Sequence, residues 1–220
     1  MLVNTTRTTI KKAEHKAKFE IDVLYSIVDE SLIAHIAIVN EQGPVVIPML
    51  AWRVGNDVYV HGANNSRLMR ALKKGEPTCL TFTLFDGWVL ARSAFHHSAH
   101  YRSAVVFGNF VAVDDNDEKD RLLNHFIEHI APGRTEDVRL SNDKELNATM
   151  VLKIPLTEAS VKVSNGVVND DKEDLDRSVW AGYLPYNTKV GPLKAIDELK
   201  SGVAEPDYSN AYGARWWDQQ

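Results

Sequence analysis

The sequence predicts a mainly β protein: an antiparallel, closed or nearly closed barrel of six to eight strands with peripheral helices. Three observations carry this. Short apolar or alternating runs recur from residue 32 to residue 163, and most are joined by brief turns rich in Gly, Asn and Asp. Only three segments have the spacing of an amphipathic helix. No internal repeat is present.

The elements follow in order. Residues 1–18 form a basic arm carrying Arg7, Lys11, Lys12, Lys16 and Lys18. Such an arm is expected to be solvated, or to wrap a partner subunit or attract an anion. Phe19 to Asp29 is a helix with Ile21, Leu24, Tyr25 and Val28 on one face. Leu32 to Val39 is a strand, Asn40 to Gly43 a turn, Pro44 to Val54 a second strand and Val58 to His61 a third. Ser66 to Lys74 is a helix with Leu68, Met69 and Leu72 as its stripe, ended by Gly75 and Pro77.

Thr78 to Leu84 alternates as a half-buried strand should, and Asp86-Gly87 predicts a hairpin turn into Trp88 to Ala91. Tyr101 to Val113 continues the sheet. Asp117 to Ile130 is the third helix, closed by Pro132-Gly133, and Ala148 to Pro155 and Ala159 to Val163 are the last strands. These signals divide the chain into the arm 1–18, a barrel domain 19–164 and a C-terminal extension 165–220 that packs on the barrel or on a partner.

Composition bounds the function. With 44% apolar and 25% charged residues in 220, the chain can build a sizeable core. A net charge of -5 argues against a nucleic-acid binder. Cys79 is the only cysteine, so no internal disulfide or cysteine-based zinc site forms, and its apolar run predicts a buried thiol. The first twenty residues lack the apolar core of a secretory signal, and no run approaches the ~20 apolar residues of a membrane span. A cytoplasmic protein, off the membrane, is expected.

Three constellations could carry chemistry. In His61-Gly62-Ala63-Asn64-Asn65-Ser66-Arg67 a strand runs through a small-residue loop into a helix start, where unpaired N–H groups and a forked cation suit a phosphate. The alternative is an ordinary N-cap beside a surface arginine. Arg92 to Ser103 gathers His96, His97, His100, Ser98, Tyr101 and Arg102 beside two strands. The histidine spacing matches no common zinc pattern, so either an anionic or aromatic cofactor or a plain polar loop accounts for it. Trp180-Ala181-Gly182-Tyr183-Leu184-Pro185 predicts a fixed turn whose rings plug the barrel or stack on a cofactor, plugging being preferred. The acidic run Asp170 to Asp176 before it is expected to be solvated. No G-x-S-x-G, Walker loop or G-x-G-x-x-G is present, which is compatible with chemistry carried by a cofactor.

Taken together, Val46-Ile47-Pro48-Met49, Tyr59-Val60-His61-Gly62 with Ser66-Arg67, Asp86 to Ser98 with Tyr101-Arg102-Ser103, and Trp180 to Pro185 resemble the flavin-nucleotide-binding branch of the pyridoxamine 5'-phosphate oxidase-like proteins, to which nitroimidazole-resistance proteins are related. The likeness runs from Arg7 to Pro192 and is most specific from Asp86 to Ser103. It implies an FMN-binding split β-barrel homodimer with the cofactor between subunits. Phosphate contacts are then implied at Ser66 and Arg67, with His61 and Gly62 close by. Val46, Ile47, Pro48 and Met49 line the ring, and His97, Ser98, Tyr101, Arg102, Lys162 and Trp180 lie near the cofactor. Ser164 and Val168 stand where the family tends to carry an arginine and a proline, and the full pyridoxal-phosphate set is not recognisable, so vitamin B6 synthesis is not expected. Three functions remain open. One is an FMN-dependent oxidoreductase passing electrons from a reduced nicotinamide or another hydride donor to a small-molecule acceptor. Another is a non-catalytic flavin- or heme-binding protein, with His61, His96, His97 and His100 as possible axial ligands. The third is an interaction protein with an empty cleft.

Overall fold

The structure, a computed structural model, describes residues 1–208. The aromatic tail Tyr212 to Trp217, whose covering role the sequence left open, lies outside the described residues. In chain order the elements are β1 (Ala17–Lys18), α1 (Ile21–Glu30), β2 (Ile33–Asn40), β3 (Gly43–Leu50), β4 (Trp52–Val54), β5 (Asp57–Ala63), α2 (Arg67–Lys73), β6 (Thr78–Leu90), β7 (Ser98–Gly108), β8 (Val111–Val113), α3 (Asn116–Ile130), α4 (Arg134–Asp137), α5 (Asp143–Ala148), β9 (Thr149–Pro155), β10 (Ala159–Ser164) and β11 (Gly182–Pro185). One antiparallel sheet has seven strands, in the order β1-β10-β7-β6-β2-β3 with β11 added against β6. The other has four, in the order β4-β5-β9-β8.

The two sheets close on one apolar core. Ala34, Ile36, Leu80, Phe82, Ala104, Val106 and Val161 come from the larger sheet, and Val58, Val60, Leu152 and Ile154 from the smaller. Helix α1 seals one side with Leu24, Ile27 and Val28, and α2 another with Leu68, Met69 and Leu72. A second cluster lies under α3, where Leu122 and Phe126 pack on Trp52, Tyr59, Val113 and Val151. The antiparallel β architecture with peripheral helices is therefore the one the sequence predicts, as a split barrel.

The strand count is higher than six to eight, for identifiable reasons. The predicted strand 44–54 breaks at buried Ala51, where the chain leaves the larger sheet for the smaller. The predicted strand 101–113 breaks in the same way at Asn109-Phe110. Strands β1 and β11 are too short to show a period. Helices α4 and α5 are also short, although the Asn142–Glu145 capping box of α5 is readable in the sequence.

Asp86-Gly87 is not a hairpin turn. Strand β6 runs straight through it, and Asp86 is one extra residue in the ladder: Phe85 pairs with Tyr101, but Gly87 pairs with His100. This is a β-bulge. The extra residue inverts the pleat, so Leu80 and Phe82 point into the core before it, and Gly87 and Val89 are buried after it. Phe85 and Trp88 consequently share one face and meet edge to face at 4.9 Å. Gly87 has a φ of 146°, and a Cβ on it would lie 2.5 Å from the Leu184 carbonyl oxygen. Only glycine allows β11 this close.

Four further expectations are corrected. The basic arm is tied down on the chain's own barrel: the Arg7 guanidinium and Thr5 hydroxyl both bond Glu158, and Leu2 N donates to the Phe19 carbonyl at 2.8 Å. Arg7, then Thr5, hold the Glu158 carboxyl below its usual range. The segment 180–185 plugs nothing; it pairs as β11 on the sheet, with Trp180 largely exposed and folded over Gly182. The acidic run is not simply solvated, because Asp170 is covered and Asp171 is paired. Cys79 is half-buried on the sheet's outer face.

Candidate functional site

The residues that the sequence singles out fall into four places. The first is a cleft of about 830 Å³ between the tip of the β2–β3 hairpin and α2, lined by Arg67, Lys74, Val39 and Gln42 among others. The tip is fixed by the Asn40 side chain, which accepts from Gln42 N at 2.8 Å, and by Gly43 at a φ of 112°. Ser66 caps α2 by accepting from Met69 N at 3.4 Å, which leaves its O–H able to donate. Arg67 stands exposed at the mouth. Glu41 and Glu76 also line the cleft, so Arg67 and Lys74 set where an anion can rest.

The second place is the outer face of the larger sheet. On β3 the side chains alternate: Val46 and Pro48 are exposed on this face, while Ile47 and Met49 turn to the core. Lys162 pairs with Ser103 across the same sheet, and Tyr101 carries the Lys16 ammonium 5.7 Å above its ring. Arg102 points the other way. It donates to Asp86 at 2.9 and 2.7 Å and forks onto Glu30 at the end of α1. Its hydrogen bonds to Asp86 and then to Glu30 raise its pKa further above the usual value. Arg102 is thus a tie between α1, the bulge and β7.

The third place is a cleft of about 540 Å³ whose lining includes His15, His96, His97 and His100 together with Val89, Phe95 and Val167. The extension, which contributes Gly166, Val167 and Asn169 to this cleft, is clamped one residue further on. Asp170 accepts from Arg92 N at 2.8 Å and from the Arg92 guanidinium at 2.7 Å, and its side chain is 2% exposed. Burial pushes the Asp170 carboxyl up, but the Arg92 bonds outweigh that and hold it below its usual range. Tyr183 of β11 stacks against His100 at 4.9 Å and accepts from Val168 N at 3.0 Å. Ser98 lines the cleft beside His97.

His61 and Gly62 are elsewhere, on β5 of the smaller sheet. Gly62 is small because Met69 of α2 lies on it: a Cβ there would sit 2.8 Å from the Met69 Cγ. The His61 ring is wedged between Trp52 at 5.6 Å and Phe126 at 5.3 Å. Its Nδ1 and the Trp52 Nε1 are buried without a hydrogen-bond partner among the described residues. Burial lowers the His61 pKa. The fold therefore favours neutral imidazole. This contribution is complete above about pH 6.5, the unfolded value, and is lost as pH falls through the lower folded value. Melting temperature measured from pH 7.5 to 5 should fall faster in the wild type than in His61→Leu. Parallel curves would show that His61 does not carry the dependence.

A split barrel bearing one cleft lined by Arg67, Lys74, Glu41 and Glu76 and a separate histidine-lined cleft defines a class: a β-barrel scaffold with two clefts of ligand size. The chain matches the family described as pyridoxamine 5'-phosphate oxidase over residues 20–163, and it belongs to that family. No curated protein matches the sequence. Among solved structures it is similar to the flavocytochrome Anf3 from Azotobacter vinelandii, with 33% identity over 92% of this chain and 94% of that one and a TM-score of 0.88. It is also similar to the FAD and heme binding protein from Mycobacterium smegmatis, with 32% identity over 91% and 97% and a TM-score of 0.84. A candidate 5-nitroimidazole antibiotic resistance protein from Bacteroides thetaiotaomicron shares the fold at 22% identity over 67% and 86%, with a TM-score of 0.56. Among the described residues, no helix is long and apolar enough to cross a membrane.

Proposed function

We propose that this protein is a flavin-binding oxidoreductase that also holds a heme, acting as a homodimer on a small-molecule acceptor in the cytoplasm. The observation that carries the reading is the pair of separate clefts, one with Arg67 and Lys74 on its lining and one histidine-lined, on a chain similar along nearly its whole length to proteins with both cofactors. Flavin supplies hydride acceptance and heme one-electron transfer; the protein's task is to bind, orient and exclude water.

Arg67 and Lys74 would hold the flavin phosphates, and Val39 and Pro77 on the same lining offer apolar surface beside them. The resemblance implies FMN, but the similar protein from Mycobacterium smegmatis is described as an FAD and heme binding protein, which favours the dinucleotide FAD. The dimer reading rests on the outer sheet face, where Ile33, Val39, Val46 and Leu50 are exposed side by side along β2 and β3. Apolar side chains in such number on one face are expected to be covered by a second copy.

The absorption spectrum of the purified protein tests the reading. A two-banded flavin with a Soret band is expected; a colourless protein that takes up neither added flavin nor hemin would overturn it. Chromatography of the heat-released flavin separates FAD from FMN, and anaerobic NADH or NADPH tests for reduction. Arg67→Ala should weaken flavin binding by about 1.5–3 kcal/mol, the scale of a lost charge-assisted hydrogen bond. Flavin titration monitored by fluorescence quenching measures it, and unchanged affinity would remove Arg67 from the site.

A further inference from the structure

We propose that His97 is the protein's axial ligand to heme iron in the histidine-lined cleft. The inference rests on the heme reading above and assigns the residue that reading leaves open.

A histidine that binds iron must present a bare ring nitrogen, and its other nitrogen is normally fixed as a donor to a carbonyl or carboxylate. His97 has this arrangement. Its Nδ1 lies 2.9 Å from the Ser93 carbonyl oxygen. A carbonyl can only accept, so Nδ1 carries the proton and Nε2 keeps its lone pair. Nε2 is the nitrogen farther from the backbone, and the His97 side chain lies at the exposed lining of the cleft. The local geometry enforces this. Residues Ala94–His96 make one 3-10 turn, and His97 leaves it in extended conformation, which brings its ring back over the turn's start.

The other histidines of the cleft are committed differently. His96 Nε2 is 3.0 Å from the Asp171 carboxylate, so the outer nitrogen is the protonated one. His100 Nε2 donates to the Gly166 carbonyl at 2.8 Å, and its ring is covered by Tyr183. Each therefore keeps only Nδ1, the nitrogen nearest its own backbone. His15 has no hydrogen bond fixing its tautomer among the described residues. His61 lies under α3 on the smaller sheet, away from this cleft.

The walls fit the group. Phe95 is 89% and Val167 83% exposed, so two large apolar side chains stand uncovered beside the His97 ring's segment. Lys16, on the same lining, is a cation suited to a propionate. The volume of about 540 Å³ is of the order of a ligand pocket.

The full-length protein, purified or reconstituted with hemin, tests this through its spectrum. His97→Ala should lose heme affinity more than about a hundredfold, exceeding the roughly 10–100-fold loss for a residue that only orients a ligand. Its bound flavin and far-UV circular dichroism should be unchanged, and added imidazole should restore the Soret band. His97→Met, which keeps a ligating atom, should retain heme with a shifted Soret band. His96→Ala and His100→Ala should keep the wild-type Soret position. A His97→Ala protein with wild-type heme content and Soret position overturns the assignment, as does an unshifted band in His97→Met. If the wild type itself takes up no hemin, the heme reading fails, and with it the basis for this assignment.

Discussion

Gly87→Val should cost about 3 kcal/mol of stability and release the C-terminal extension from the sheet. Two effects add. The residue's φ of 146° is one that side-chain-bearing residues rarely adopt. The new Cβ would also meet the Leu184 carbonyl oxygen and the Pro185 Cα, at 2.5 and 2.9 Å. Both obstacles are backbone, so no rotamer change relieves them. The least costly relaxation is for β11 to leave β6, because it is a short edge addition held by four residue pairs, Gly182–Leu90 to Pro185–Gly87. Its departure takes Tyr183 off His100 and loosens the loop that carries Asp170. Urea unfolding should show the loss, and limited trypsin digestion should cut faster at Lys172 and Arg177. Wild-type stability and cleavage rates would mean that β11 does not dock as described.

Arg102→Ala should be the second large effect, about 2 kcal/mol. The guanidinium holds two carboxylates, Glu30 and Asp86, at sites only about a third exposed. Removing it leaves two like charges facing each other with no counter-ion. Fully buried pairs broken this way cost about 3–5 kcal/mol, and partial exposure reduces that figure. Glu30 ends α1, where a negative charge already opposes the helix dipole. Arg102→Lys should recover only part of the loss, because an ammonium cannot fork onto both acids. The measurement also separates two roles. A structural tie lowers melting temperature with flavin retention intact in the surviving folded fraction. A cofactor contact would lose flavin at unchanged melting temperature, contrary to the geometry seen here.

The fold was legible wherever a side-chain period ran for several residues. Strands such as Ile33–Asn40 and Thr149–Pro155, and the helix Asn116–Ile130, were readable within about two residues. What failed was local punctuation whose meaning depends on a distant partner. Asp86-Gly87 has the chemistry of a hairpin turn, but β7 and β11 flank β6 on both sides of it and keep the strand extended. Likewise the aromatic run 180–185 carries no sign that its partner is Trp88 and its neighbours, nearly a hundred residues earlier. The site was legible as a set of residue types rather than as an arrangement. The sequence groups Tyr101, Arg102 and Ser103, but the pleat sends Arg102 to the opposite face from the other two. His61 looks like a ligand beside Gly62, although its ring lies in an aromatic wedge that depends on Trp52 and Phe126. Conversely, the one hydrogen bond that sets the His97 tautomer spans only four residues, yet no pattern of letters announces it.

The supernumerary residue in β6 has a bearing on how such a chain can diverge. Side chains along a strand obey parity, so Ala91, Val89 and the docking of the extension depend on how many residues separate them from Phe82, whatever those residues are. The two residues between Phe85 and Trp88 are constrained in kind as well as in number, since Gly87 has no room for a Cβ and Asp86 holds Arg102. A single-codon deletion there would turn Trp88 inward and Val89 outward at one stroke. Descendants of this sequence should therefore conserve the length of that stretch as strictly as its glycine.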